Sequence, residues 1–151
     1  MVKKVALPYY RQETDYFCGP ATLKMALEFF GKKISQRKLA RILKTNKKIG
    51  TLRRNMVKTA RREGLTARSF IRKNLGGVKK FLADGKVVIA IFVEPYSKLT
   101  KKLYSEGDHY TIITGIGLGT VTLNDPWVGK NFKMKEKDFI GRWNKWDRWF
   151  L

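Results

Sequence analysis

The chain changes texture once, near residue 85, and that change limits it to a fold with segregated helices and sheet. Upstream, apolar residues recur at helical spacing; downstream they come in short runs rich in β-branched residues. Pro20 suits a first helical position, and Ala21, Leu23, Met25, Ala26, Leu27, Phe29 and Phe30 follow it, with Gly31 as the stop. Ser35 caps a second helix through Lys44, turning Leu39, Ile42 and Leu43 inward and Arg37, Lys38, Arg41 and Lys44 outward. A third helix spans about 51–63, with Leu52, Met56 and Ala60 at four-residue spacing and Gly64 as its end. Residues 65–71 read as a short strand, and Asn74 caps a fourth helix through Ala83.

Beyond Gly85 the runs 87–93, 110–116 and 120–124 are β-like, with a loop over 94–108 and the turn Gly117-Leu118-Gly119 between them. Residues 134–149 read as a closing amphipathic helix, whose Phe139, Trp143, Trp146, Trp149 and Phe150 predict a face docked on the core. The expectation is one α+β domain over 1–151: a helical half at about 18–84, a β half at about 86–128, and the closing helix. The helical half packs on an antiparallel sheet, with a cleft between the two. Gly115-Ile116-Gly117-Leu118-Gly119 is read as a hairpin turn, because a nucleotide-binding glycine loop would open a helix and here a β-like run follows.

No apolar stretch approaches the roughly 20 residues of a membrane span. The N-terminal apolar segment ends at Pro8, too short for a signal peptide. With a single free thiol, this predicts a cytoplasmic location or the cytoplasmic face of a membrane. The net charge of +21 is concentrated: between Lys32 and Lys80 stand eighteen Lys/Arg and one acid, Glu63. Such a field suits an acidic partner, whether acidic peptide, anionic lipid or nucleic acid. No zinc spacing or RNA-binding signature accompanies it, and neither a metal nor a cofactor is expected.

Cys18 is the only cysteine, so within one chain it is a packing residue or a nucleophile, not a disulfide partner. Its position just before a helix that starts near Pro20 favours the nucleophile, because unpaired N–H groups and the helix dipole stabilise negative charge on sulfur. A thiol nucleophile needs a base, and His109 is the only histidine. Of the two acids near it in sequence, Asp108 adjoins it in the strand and points to the opposite face. Asp125 ends the next strand. A three-residue loop at 117–119 pairs Ile116 with Thr120 and Thr111 with Asp125, making Asp125 a diagonal neighbour of His109; a two-residue loop would reverse that parity. Gln12, just upstream, supplies an amide donor for an oxyanion, beside the Cys18 backbone N–H.

Gln12 six residues before Cys18, the helix start Cys18-Gly19-Pro20-Ala21, His109-Tyr110 opening a strand, and Asn124-Asp125-Pro126 resemble the C39 and C39-like peptidases. The resemblance runs from about Leu7 to the final helix. It implies a papain-like cysteine peptidase fold, with Cys18 as nucleophile, His109 as base and acid, Asp125 as the group orienting the histidine, and Gln12 in the oxyanion hole. It further implies a peptide or protein substrate and a leader- or precursor-processing role. Two alternatives stand beside it. One is a non-catalytic C39-like domain that binds a peptide, an anionic membrane surface or nucleic acid through its basic face. The other is a different acyl transfer, since a triad alone does not define the acceptor.

Overall fold

The structure, a computed structural model, describes residues 5–93 and 108–151. Four helices come first: α1 (Cys18–Phe29), α2 (Gln36–Leu43), α3 (Arg53–Arg62) and α4 (Leu75–Ala83). Four strands follow, β1 (Val88–Val93), β2 (Asp108–Gly117), β3 (Thr120–Asp125) and β4 (Gly129–Lys135), and then α5 (Glu136–Trp143) with a 3-10 turn (Asn144–Trp146). The strands form one antiparallel sheet in the order β1-β2-β3-β4. Apart from Asp108, the loop expected over 94–108 falls outside the described residues.

The apolar run of β1 does not alternate, and a strand apolar on both faces must be covered on both. Ile89, Ile91, Tyr110 and Ile112 pack against Leu23, Leu27, Leu39, Leu43 and Met56 of α1–α3. Val88, Ala90, Phe92, Ile113 and Leu123 instead meet Leu75, Val78 and Leu82 of α4 and Phe139 and Trp143 of α5. The helices therefore do not all lie on one side of the sheet. The fourth helix of the expected helical half belongs to the other face.

The caps form where their chemistry predicts. The Ser35 side chain accepts the Lys38 N–H, and the Asn74 side chain accepts that of Gly77. The closing segment differs from expectation. Residues 129–135 are an edge strand and the helix is confined to 136–143, because Phe132 and Met134 alternate inward while Lys130, Lys133 and Lys135 stay toward solvent. Past Trp143 the chain turns back through left-handed Asp147 and Arg148, and Leu151 exchanges two 2.8 Å backbone hydrogen bonds with Ile89 of β1. Phe139, Trp143, Trp149 and Phe150 are buried, as a docked face requires; the Trp146 side chain lies outside the described residues. The short strand expected at 65–71 contracts to one bridge, Phe70 with Phe150.

The β2–β3 hairpin departs from expectation twice. Leu118 and Gly119 form a two-residue turn with φ 54° and 73°, and Gly117 pairs with Thr120. That turn alone would shift the pairing by one and carry Asp125 to the wrong face. A bulge between Ile113 and Gly115 leaves Thr114 as an extra residue and restores the parity. Beyond it Ile113 faces Leu123 and Ile112 faces Asn124, the alignment that a three-residue loop would have given.

Candidate active site

Cys18 is the first residue of α1 and is buried, and no side chain caps the helix start. The helix begins two residues earlier than Pro20 suggests, which puts the sulfur on the first turn itself. His109 follows the first residue of β2, and Asp125 is the last residue of β3; both are buried. The imidazole Nε2–H donates to both carboxylate oxygens, at 2.9 and 3.0 Å. With that nitrogen engaged, Nδ1 is the ring nitrogen left over, and the Cys18 thiol lies near enough to favour the protonated ring. Asp125 is held in turn by the N–H groups of Trp127 (2.9 Å) and Val128 (3.0 Å) on Oδ1, and the Tyr9 hydroxyl donates to its backbone carbonyl at 2.7 Å. Asp108 opens β2, and its side chain lies outside the described residues.

Gln12 is brought to the same place by its backbone. Its N–H donates to the Pro126 carbonyl at 2.9 Å, next to Asp125. Its side-chain Nε2 donates one hydrogen to the Thr14 carbonyl at 2.8 Å, which leaves the second N–H of that amide over. Gln36 of α2 straddles this strap: its Nε2 donates to the Arg11 carbonyl at 2.7 Å and its Oε1 accepts the Glu13 N–H at 3.0 Å. Both residues flanking Gln12 are thus tied to one buried side chain. Sequence reading missed Gln36, although a signal was there. It stands three residues before Leu39 and seven before Leu43, on the apolar stripe of α2, where a polar residue needs partners.

Next to Cys18 in the chain, Gly19 has Thr51 packed against it. The Thr51 hydroxyl lies 2.7 Å from that of Thr45, and its carbonyl accepts the Tyr110 hydroxyl at 2.8 Å. The residue after Cys18 and the residue after His109 therefore meet on one loop.

Burial pushes the His109 pKa down, but the Asp125 charge and hydrogen bond, with the Cys18 contact, outweigh it and hold it well above 6.5. For Asp125, burial raises the pKa, and the His109 charge with the Val128 and Trp127 N–H groups brings it below 3.8. By linkage, the His109 contribution to stability is full below about pH 6.5 and is lost as pH rises through the raised folded value. That of Asp125 is full above about pH 3.8 and is lost as pH falls through its lowered value. As the only histidine, His109 gives a single Hε1 resonance. Its titration midpoint should lie above 6.5 and drop in Asp125→Asn; a midpoint at or below 6.5 in both proteins contradicts the electrostatics.

Among the described residues, no cluster of His, Cys, Asp and Glu could hold a metal ion. Among them, too, no helix is long and apolar enough to cross a membrane.

The structure thus has a buried thiol at a helix start and a buried imidazole bridged to a carboxylate, on an α+β scaffold. The chain belongs to the Peptidase_C39 like family, whose profile matches residues 4–148. An uncharacterised protein of Methanothermobacter thermautotrophicus is 31% identical over 119 residues, covering 79% of this chain and 71% of the relative. Among solved structures, a candidate C39-like peptidase of Bacillus anthracis superposes with a TM-score of 0.82 at 16% identity, over 99% of this chain and 96% of that one. The peptidase domain of Streptococcus ComA, a bi-functional ABC transporter of a quorum-sensing pathway, gives 0.69 at 24% identity, over 93% and 91%. A double glycine motif protease from an AMS/PCAT transporter, in complex with its leader peptide, gives 0.69 at 19%, over 92% and 86%. At these identities the likeness carries the fold, which is the papain-like α+β fold of C39 peptidase domains.

Proposed function

We propose that this protein is a cysteine peptidase in which Cys18, His109, Asp125 and Gln12 carry the chemistry. The observation behind the proposal is the two-point bridge from His109 Nε2 to Asp125, which leaves the other ring nitrogen for the Cys18 thiol. His109 takes the Cys18 thiol proton as the sulfur attacks the scissile carbonyl carbon. The resulting oxyanion takes hydrogen bonds from the Cys18 backbone N–H and the remaining Gln12 side-chain N–H. His109 delivers that proton to the leaving amine, so the C–N bond breaks and a thioester remains. A water then gives a proton to His109 and attacks the thioester carbon; the C–S bond breaks, the acid leaves, and His109 returns the proton to sulfur.

A peptide substrate is supported by the structural relative that holds a leader peptide, and leader or precursor processing is the finer form of this reading. The test is a panel of peptides, double-glycine leaders included, with products identified by mass spectrometry. Cleavage should stop when one iodoacetamide per chain has alkylated Cys18. Cleavage that persists in the fully alkylated protein sinks the mechanism.

A second reading is favoured by the surface. All eighteen Lys/Arg between Lys32 and Lys80 are exposed, with Glu63 the one acid in that stretch. To this basic surface an acidic peptide, an anionic lipid surface or nucleic acid would bind if the domain acted without catalysis. Such binding would survive Cys18→Ala and weaken steeply with salt.

A further inference from the structure

An open concavity of about 410 Å³ is bounded by Tyr16, Phe17, Arg37, Ala40, Arg41 and Thr45. Tyr16 and Phe17 are the two residues before Cys18, so chain geometry alone keeps their Cα atoms within about 7 Å of the nucleophile's. The two rings meet edge to face at 5.0 Å. Phe17 and Ala40 are buried and make an apolar wall. Arg37 and Arg41 stand one turn apart on α2, so both guanidinium groups rise from the same face. No acid lines the concavity. Arg37 reaches Glu13 at 3.6 Å, with the arginine side chain largely and the glutamate side chain about half in solvent, and Arg41 makes no ion pair among the described residues.

Two cations over an apolar wall, in a concavity bounded by the two residues that lead into Cys18, are arranged to receive a side chain that is apolar along its stem and anionic at its tip. We propose that this concavity is a substrate subsite for a glutamate or aspartate side chain of the peptide being cut, with Arg37 and Arg41 as its specificity-determining residues. The inference rests on the peptidase reading and names the substrate class within it. Glu13 marks the position a carboxylate takes beside Arg37, and the bound acidic side chain shares or displaces it. Arg41, without a partner, gains most from the substrate. The subsite also gives a local purpose to part of a charge excess that solubility does not require.

The experiment uses internally quenched hexapeptides in which glutamate, glutamine or lysine is scanned through every position. The wild-type protein should cut glutamate peptides about 10–100-fold better in kcat/KM than glutamine ones at one position, the range expected of one charge-assisted contact. Arg41→Gln should remove most of that preference, and Arg37→Glu/Arg41→Glu should turn it toward lysine at the same position. Equal cleavage of glutamate and glutamine peptides throughout, or a preference unchanged in the double variant, overturns the subsite and leaves the peptidase reading standing. If no peptide is cut, the peptidase reading fails, and the subsite is judged by fluorescence anisotropy of the same peptides on Cys18→Ala protein. Tighter binding of the glutamate series that is lost in Arg37→Glu/Arg41→Glu supports it; equal binding of the two series overturns it.

Discussion

Cys18→Ala and His109→Ala should each lower kcat/KM by on the order of 10⁴-fold or more, and combining them should cost almost nothing further. The reason is geometric. The imidazole is bridged to Asp125 with Nδ1 left for the thiol, so in the proposed mechanism neither partner has a second route to the reaction. Once the sulfur is gone there is no nucleophile to activate. Once the ring is gone, the leaving amine has no proton donor. Two groups acting independently would give losses that multiply, and multiplied losses would refute a shared step.

Stability must be separated from chemistry in this comparison. His109→Ala leaves the Asp125 carboxylate buried with only the Trp127 and Val128 N–H groups as donors. His109→Gln keeps a side-chain amide that can donate to Asp125 while removing the acid–base function. If it restores the urea midpoint but not kcat/KM, the lost activity belongs to proton transfer and not to unfolding.

The candidate residues Cys18, His109 and Asp125 were legible in the sequence because each follows from a local rule. A lone cysteine before a glycine-proline helix start, a lone histidine opening a strand, and an Asp-Pro closing the next strand each have few uses. The register joining the last two is a different matter. The reasoning needed a three-residue turn at 117–119, and the chain uses two residues there and spends the third as the Thr114 bulge. Nothing in the type of Thr114 announces this. Its hydroxyl finds the Thr122 carbonyl at 3.2 Å and its carbonyl accepts the Val5 N–H at 3.0 Å, contacts that exist only once the hairpin and the N-terminal strap are in place.

The same holds for β4. A lysine-rich edge strand looks polar and irregular in sequence, because an exposed edge selects charges that oppose further pairing. The face on which α4 packs was hidden as well. Helical periodicity shows which side of a helix is apolar, but not which side of a sheet that stripe will cover. The long apolar run of β1 did require cover on both faces, and α4 with α5 supplies the second.

Gly19→Ala should reduce stability and catalysis together, through a contact that no motif description includes. A Cβ at residue 19 would lie 2.6 Å from Thr51 Cβ and closer still to its Oγ1, well inside contact distance. Thr51 cannot easily withdraw, since its hydroxyl is bonded to Thr45 and its carbonyl to Tyr110, the neighbour of His109. The strain must therefore move either the start of α1, which carries Cys18, or the loop that steadies Tyr110. Overpacking of this kind costs about 1–3 kcal/mol, and a displacement of about 1 Å at the reacting atoms costs about 10²-fold in rate. The expected result is a lower urea midpoint together with slower alkylation of Cys18 and a kcat/KM reduced by roughly two orders of magnitude. Adding Thr51→Gly to Gly19→Ala removes the opposing side chain and should recover much of the alkylation rate. A double variant no better than Gly19→Ala alone would show that Gly19 matters for some reason other than its fit against Thr51.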